Sequence, residues 1–162
     1  MNDPLTAAVI TVSDRAAKGI YRDDTGPSIV KLLNDNGWKI GYSTTIPDDE
    51  LQIQSELIKC CDQMEFHLVV TAGGTGLSPR DVTPEATRAV IQKETPGIVQ
   101  AMMQASLLKT PHAMLSRQVA GIRSRTLIIN LPGSPKAAFE NLEVVLPALQ
   151  HAISLIRSDP DA

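Results

Sequence analysis

The stretch that decides the fold is Phe66-His-Leu-Val-Val-Thr-Ala-Gly-Gly-Thr-Gly76, followed by Ser78-Pro-Arg-Asp81 and Thr83-Pro-Glu85. A run of β-branched and apolar residues ends at glycines, and a helix start follows directly. Threonine, then proline, then an acid is the order expected of an N-cap, a first helical position and a first turn. A fully apolar strand running through a tight turn into a helix is the unit of a sheet covered on both faces.

Other segments repeat the pattern. Leu5–Val12, Trp38–Thr45 and Thr126–Leu131 read as further buried strands. Helical spacing is present in Ser28–Asn36, with Gly37 behind it as a C′ residue, and in Asp49–Met64. Pro96 opens a helical segment through Met102, Met103 and Leu107, where the methionines suit a core. Ser134-Pro-Lys136 opens a long one carrying Ala138, Leu142, Val145, Leu149, Ile153 and Ile156; Pro147 inside it should kink or divide it. Strand and helix alternate, so the expected class is α/β: a three-layer αβα sandwich with a mostly parallel central sheet. One domain over residues 1–157 suits a chain of 162 residues, with 158–162 as a frayed tail.

Composition narrows the function. Fifteen basic against eighteen acidic residues give a net charge of −3, and aromatics are 3% of the chain. That combination argues against a duplex nucleic-acid binder and against a stacking platform for single strands. No stretch is long enough to span a bilayer, and no signal-peptide pattern follows Met1. Cys60 and Cys61 are neighbours and read as reduced thiols on a helix, so the expected location is the cytoplasm. His67, His112 and His151 have no metal-ligand spacing, and no G-x-S-x-G nucleophile elbow is present.

In parallel α/β folds ligands sit outside the carboxyl ends of the strands. Those ends carry Ser13-Asp14, Pro47-Asp48-Asp49, Gly73-Gly74-Thr75-Gly76 and Pro132-Gly133-Ser134. The glycine loop suits either a phosphate nest or a plain tight turn; it fits neither the Walker A nor the Rossmann pattern. Asp81 beside such a loop suits Mg²⁺ shared with phosphate oxygens, although it could also serve the helix end. Asp48 and Asp49 are equivalent by sequence: either could join Asp81 at a metal, and either could cap the next helix. Gly133-Ser134-Pro135 reads equally as an anion site and as an ordinary cap.

Seven motifs in one order resemble the molybdopterin adenylyltransferase family, which includes the bacterial enzymes and the G domains of plant and animal molybdenum-insertion proteins such as gephyrin. They are Thr11–Asp14, Asp24–Pro27, Ile46–Asp48, Thr71–Gly76, Pro79–Thr87, Met114–Arg117 and Ile129–Gly133. The resemblance implies the α/β sandwich, a homotrimer, and adenylylation of molybdopterin with ATP as co-substrate and Mg²⁺ as cofactor, pyrophosphate leaving. It implies Asp81 and Asp48 as catalytic, metal-linked acids. It places Ser13, Asp14, Gly73, Gly74, Thr75, Gly76, Ser106, Asn130, Pro132 and Gly133 against phosphate, pterin or nucleotide. A separate molybdate-insertion protein is the implied partner. The alternative is a non-catalytic molybdopterin-binding or scaffold protein of the same fold.

Overall fold

A computed structural model describes residues 3–158 of the chain. Four parallel strands form the centre of one sheet: β1 (Thr6–Val12), β2 (Lys39–Ile46), β3 (Leu68–Ala72) and, last in the chain, β6 (Thr126–Leu131). Every residue of β3 and β6 is buried, and all of β1 after Thr6. Alternate side chains therefore serve two cores, as the strand period requires. Ala7 and Val9 point to the face packed by α2 (Thr25–Asp35), α5 (Pro96–Leu107) and α6 (Pro135–Ile156). Ala8, Ile10 and Val12 point to the other, packed by α3 (Glu50–Ile58) and α4 (Thr83–Val90). This is the expected three-layer sandwich.

The sheet order is β2-β1-β3-β6-β5-β4, and its last two strands were not expected. β5 (Ala120–Arg123) runs antiparallel to β6, and β4 (Lys93–Glu94) antiparallel to β5. Neither is a continuous β-branched run, so their strand character comes from pairing across the fold rather than local preference. The exposed Lys-Glu pair of β4 ends the sheet with charge, which discourages further strand addition.

Several boundaries also differ. Helix α2 begins at Thr25 rather than Ser28, because the Asp23 carboxylate accepts from the Thr25 and Gly26 amides at 3.0 Å each. Pro27 is tolerated there, since a first-turn residue has no intrahelical partner for its N–H. Thr83 is not a side-chain cap: it is the first residue of α4, and its amide donates to the Gly74 carbonyl at 3.1 Å. Helix α3 does not run unchanged to Met64 but passes into a π-helical turn, Lys59–Gln63, holding the buried Cys60 and Cys61. Both cysteines are free, and burial pushes their thiols up to about 12 and about 11. Helix α6 is not divided at Pro147. Val145 and Leu149 are buried on either side of that exposed proline, so packing spans the missing hydrogen bond. Of the tail expected at 158–162, only Ser158 is described, and its hydroxyl donates to the Leu155 carbonyl at 2.8 Å; residues 159–162 lie outside the described residues.

Candidate active site

The carboxyl ends of the four parallel strands meet on one rim. The Ser13 amide donates to Ile46 O at 2.9 Å, tying the ends of β1 and β2, and the Gly73 amide donates to Leu131 O at 3.0 Å, tying β3 to β6. The glycine loop is then set between its neighbours. Gly73 (φ 108°) and Gly74 (φ 68°) lie in the left-handed region. A Cβ on Gly73 would collide with the Val12 carbonyl oxygen, and one on Gly74 with Thr83 Oγ1. Only glycine fits these two positions, for both reasons.

Three acids stand at this rim, two of them beside the glycine loop. Asp14 and Asp48 exchange backbone bonds: the Asp14 amide donates to Asp48 Oδ2 at 2.9 Å, and the Asp48 amide to Asp14 Oδ1 at 3.0 Å. Arg80 grips Asp14 with a planar fork, Nε to Oδ2 and Nη2 to Oδ1, each 2.9 Å. That hydrogen-bonded guanidinium holds the Asp14 carboxyl below its ordinary range. Asp48 has the opposite environment. Burial pushes its pKa up, and the nearby Asp14 and Asp81 carboxylates add to the rise. Asp81 accepts from the Ser78 amide at 3.1 Å and lies beside Gly76, where a Cβ would be 2.9 Å from its Oδ2.

Asp48 and Asp49, equivalent in sequence, do different things. Asp49 caps α3, accepting from the Gln52 amide at 2.9 Å, and is exposed. Asp48 turns inward, its Oδ1 3.0 Å from where a Cβ on Gly74 would stand. Ser13 caps the short helix α1 (Asp14–Ala17), accepting from the Ala16 amide at 3.2 Å. Ser134 caps α6.

The donor set can be weighed against Mg²⁺. Among the described residues no three His, Cys, Asp or Glu side chains cluster as a protein-only cage. Mg²⁺ beside phosphates needs only one or two carboxylates. Asp48, whose charge is disfavoured where it stands, and Asp81, beside Gly76 of the same loop, make that donor set. Beside Asp48, at Gly74, Thr83 Oγ1 is buried without a hydrogen-bond partner. The residues fit the ion.

Beside α5 and the start of α6 lies a cavity of about 220 Å³, lined by Ser106, Lys109, His112, Ser116, Gln118 and Pro132 among others. A hydrogen-bonded chain joins it to the glycine loop. Asn141 Nδ2 donates to Ser106 Oγ at 2.7 Å, Gln118 Nε2 to Asn141 Oδ1 at 3.1 Å, and Ser116 Oγ to Gln118 Oε1 at 3.1 Å. Ser116 Oγ also lies 3.4 Å from Thr75 Oγ1. Ser106 and Pro132 thus stand at the cavity, and Gly133 packs on Gly73, a Cβ on it being 3.4 Å from the Gly73 Cα.

Asn130 requires correction as a pocket residue. Its side chain has no exposed surface. It donates to Thr71 Oγ1 and Thr87 Oγ1 at 3.0 Å each and accepts from the Val119 amide at 3.1 Å. It is a buried strap joining β3, α4 and the entry to β5, because an amide with partners on three elements is satisfied without a ligand. Residues not singled out individually in the sequence also build the site: Arg80, Arg117, Gln118, and Thr25, whose hydroxyl donates to the Gly133 carbonyl at 2.8 Å. Arg80, Thr25 and Arg117 lie inside motifs quoted above, but nothing local marks them as partners of residues 66, 108 and 41 positions away.

Residues 8–151 match a family described as a probable molybdopterin binding domain. The chain is 47% identical over 151 residues to the molybdopterin adenylyltransferase of Helicobacter pylori strain J99, covering 91% of this chain and 85% of that protein. It is 48% identical over 161 residues to gephyrin of Dictyostelium discoideum, covering 94% of this chain but 22% of that longer protein. The molybdopterin biosynthesis enzyme MoaB of Thermus thermophilus superposes with a TM-score of 0.91 at 45% identity, covering 96% of this chain and 98% of that one.

Proposed function

The chain belongs to the molybdopterin-binding domain family, and from that premise we propose that it transfers the adenylyl group of ATP to molybdopterin in molybdenum cofactor biosynthesis. An oxygen of the molybdopterin terminal phosphate attacks the α-phosphorus of ATP. The bond from that phosphorus to the bridging oxygen breaks, and pyrophosphate leaves with the electron pair. The nucleophile belongs to the substrate, so the protein needs no activated serine or histidine. Its work is positioning and charge stabilisation.

The observation that carries this reading is a glycine loop that excludes side chains, with Asp48 beside Gly74 and Asp81 beside Gly76, joined through Thr75, Ser116 and Gln118 to the cavity. The loop amides cradle phosphate oxygens. Asp48 and Asp81 would hold Mg²⁺, which would neutralise the charge of the triphosphate. Ser106, Pro132 and Gly133 position the pterin and its phosphate on the cavity side, and Ser13, Asp14, Thr75 and Gly76 complete the wall facing the nucleotide. Asn130 serves this site only by holding β3 and α4 together.

The working unit is a homotrimer in the cytoplasm, delivering adenylylated pterin to a separate molybdate-insertion protein. The exposed Leu107, Leu108, Met114 and Leu115 at the end of α5 and in the 3-10 turn Pro111–Leu115 support self-association. No helix among the described residues is long and apolar enough to cross a membrane.

The test is turnover by the purified protein with molybdopterin, ATP and Mg²⁺, following adenylylated pterin by mass. Product that needs all three additions is expected. Tight pterin binding without product would replace the transferase with a non-catalytic binding protein.

A further inference from the structure

Arg117 reaches the segment between β3 and α4 at both of its ends. Its Nε donates to the Gly76 carbonyl and its Nη2 to the Asp81 carbonyl, each at 2.9 Å. Nη1 is held between the two Glu85 carboxylate oxygens at 2.9 and 2.8 Å, in the first turn of α4. Its own amide donates to the Thr75 carbonyl at 2.8 Å. One planar group therefore fixes the exit of the glycine loop, the backbone of Asp81 and the first turn of the next helix. Between these anchors Leu77, Ser78, Pro79 and Arg80 are exposed, and the internal bonds of the segment are few: the Asp81 amide to Ser78 O at 2.9 Å and the Ser78 amide to Asp81 Oδ2 at 3.1 Å. The Arg80 fork on Asp14 ties the middle of this segment to the start of α1, and Arg117 ties its two ends, which an exposed segment with so few internal bonds needs to stay closed.

We infer that Arg117 is a positioning residue of the transfer reaction: its guanidinium, oriented by Glu85, holds the Asp81 backbone so that the Asp81 carboxylate stays beside Gly76 on the glycine loop that Asp48 meets at Gly74. This rests on the adenylyl-transfer reading, and it assigns Arg117 no contact with substrate. Lysine cannot replace it, because a single ammonium cannot reach two carbonyls and a carboxylate with fixed planar geometry. The inference separates the two halves of the site. Losing the clamp misplaces Asp81 but leaves the cavity intact, since Ser106, Asn141 and Gln118 are bonded to one another and not to Arg117.

The experiment compares wild type, Arg117→Ala, Arg117→Lys and Glu85→Gln in the full chain. In Arg117→Ala, kcat for adenylylation should fall about 100-fold, the scale of a small misplacement of a reacting group. Molybdopterin affinity, measured by direct binding, should stay at the wild-type value. Arg117→Lys should not restore kcat, whereas free guanidinium ion added to Arg117→Ala should. Independently of turnover, hydrogen exchange at the Asp81 and Thr83 amides should be faster in Arg117→Ala than in wild type without substrates. Unchanged exchange at those amides overturns the inference, and so does unchanged kcat in a preparation whose wild type makes product. Wild type that makes no product overturns the adenylyl-transfer reading instead, and the exchange data still decide the clamp. Should Arg117→Ala not fold, Glu85→Gln, which keeps the shape and loses the charge holding Nη1, carries the same two readouts with a smaller expected change.

Discussion

Two loops at the rim have the same outline and different burdens. Each leaves a buried parallel strand, β3 or β6, passes a glycine, and enters a helix whose first turn contains a proline. The loop after β6 behaves as local sequence rules say. Ser134 accepts from the Ala137 amide, and Gly133 has no positive φ. The loop after β3 does not. Two of its glycines have positive φ, its helix has no side-chain cap, and Arg117, distant in sequence, bonds both of its ends. Both loops are held from outside, the β6 loop by the Thr25 hydroxyl on the Gly133 carbonyl and the β3 loop by Arg117 and Arg80, but only the β3 loop lacks a side-chain cap for its helix.

The sharpest break of that comparison is chemical. Asp81→Asn should lower kcat for adenylylation by about 100- to 1000-fold, the range seen when one group that stabilises developing charge is removed. Pterin binding and thermal stability should be little changed. Wild-type turnover in this variant would remove the chemistry from the β3 loop. Next in size is Gly73→Ala, whose methyl meets the Val12 carbonyl in a left-handed conformation. A loss of about 1–3 kcal/mol in urea unfolding is expected, the cost of strain at such a position. A neutral result would mean the loop is less confined than its packing indicates.

On the β6 side Ser134→Ala should cost about 1 kcal/mol, the usual loss of an N-cap, with kcat unchanged. A fall in kcat would show that this helix start also handles an anion. Gly133→Ala, with negative φ and an ordinary contact to Gly73, should change stability by less than about 0.5 kcal/mol. The smallest effect concerns pH. The Asp14 pKa is lowered by Arg80, so this pair contributes stability above the unfolded-state pKa of Asp14 and loses it as pH falls through the folded value. Asp14 and Arg80 are both partly exposed, so the contribution is screened by solvent. Arg80→Gln should raise the Asp14 pKa in a carboxylate-resolved NMR titration; an unmoved pKa would remove Arg80 as its cause.

Much of this is legible locally. The apolar runs of β1, β3 and β6, the glycine loop and the Ser134-Pro135 helix start are all features whose meaning is complete within a few neighbouring residues. Asp81 stands out because it lies between two such features. Asp48 and Asp49 are not separable in sequence, since an acid before a helix has the same local character whether it caps or faces inward. Asn130 misleads for a similar reason: its place before Pro132-Gly133 suggests a rim, and only the packing of Thr71, Thr87 and Val119 around it makes it core.

The sequence by itself determined the layers and the rim, because strand period, apolar runs and glycine punctuation act over distances of a few residues. Tertiary structure alone decided which acid faces the loop, how the edge strands β5 and β4 form, and that Arg117 braces Asp81. Those outcomes depend on pairing and burial between segments far apart in the chain. A hydrogen bond spanning 36 or 41 residues, such as those of Arg117 to Asp81 and Gly76, has no local signature. It exists only once the sheet has brought its ends together.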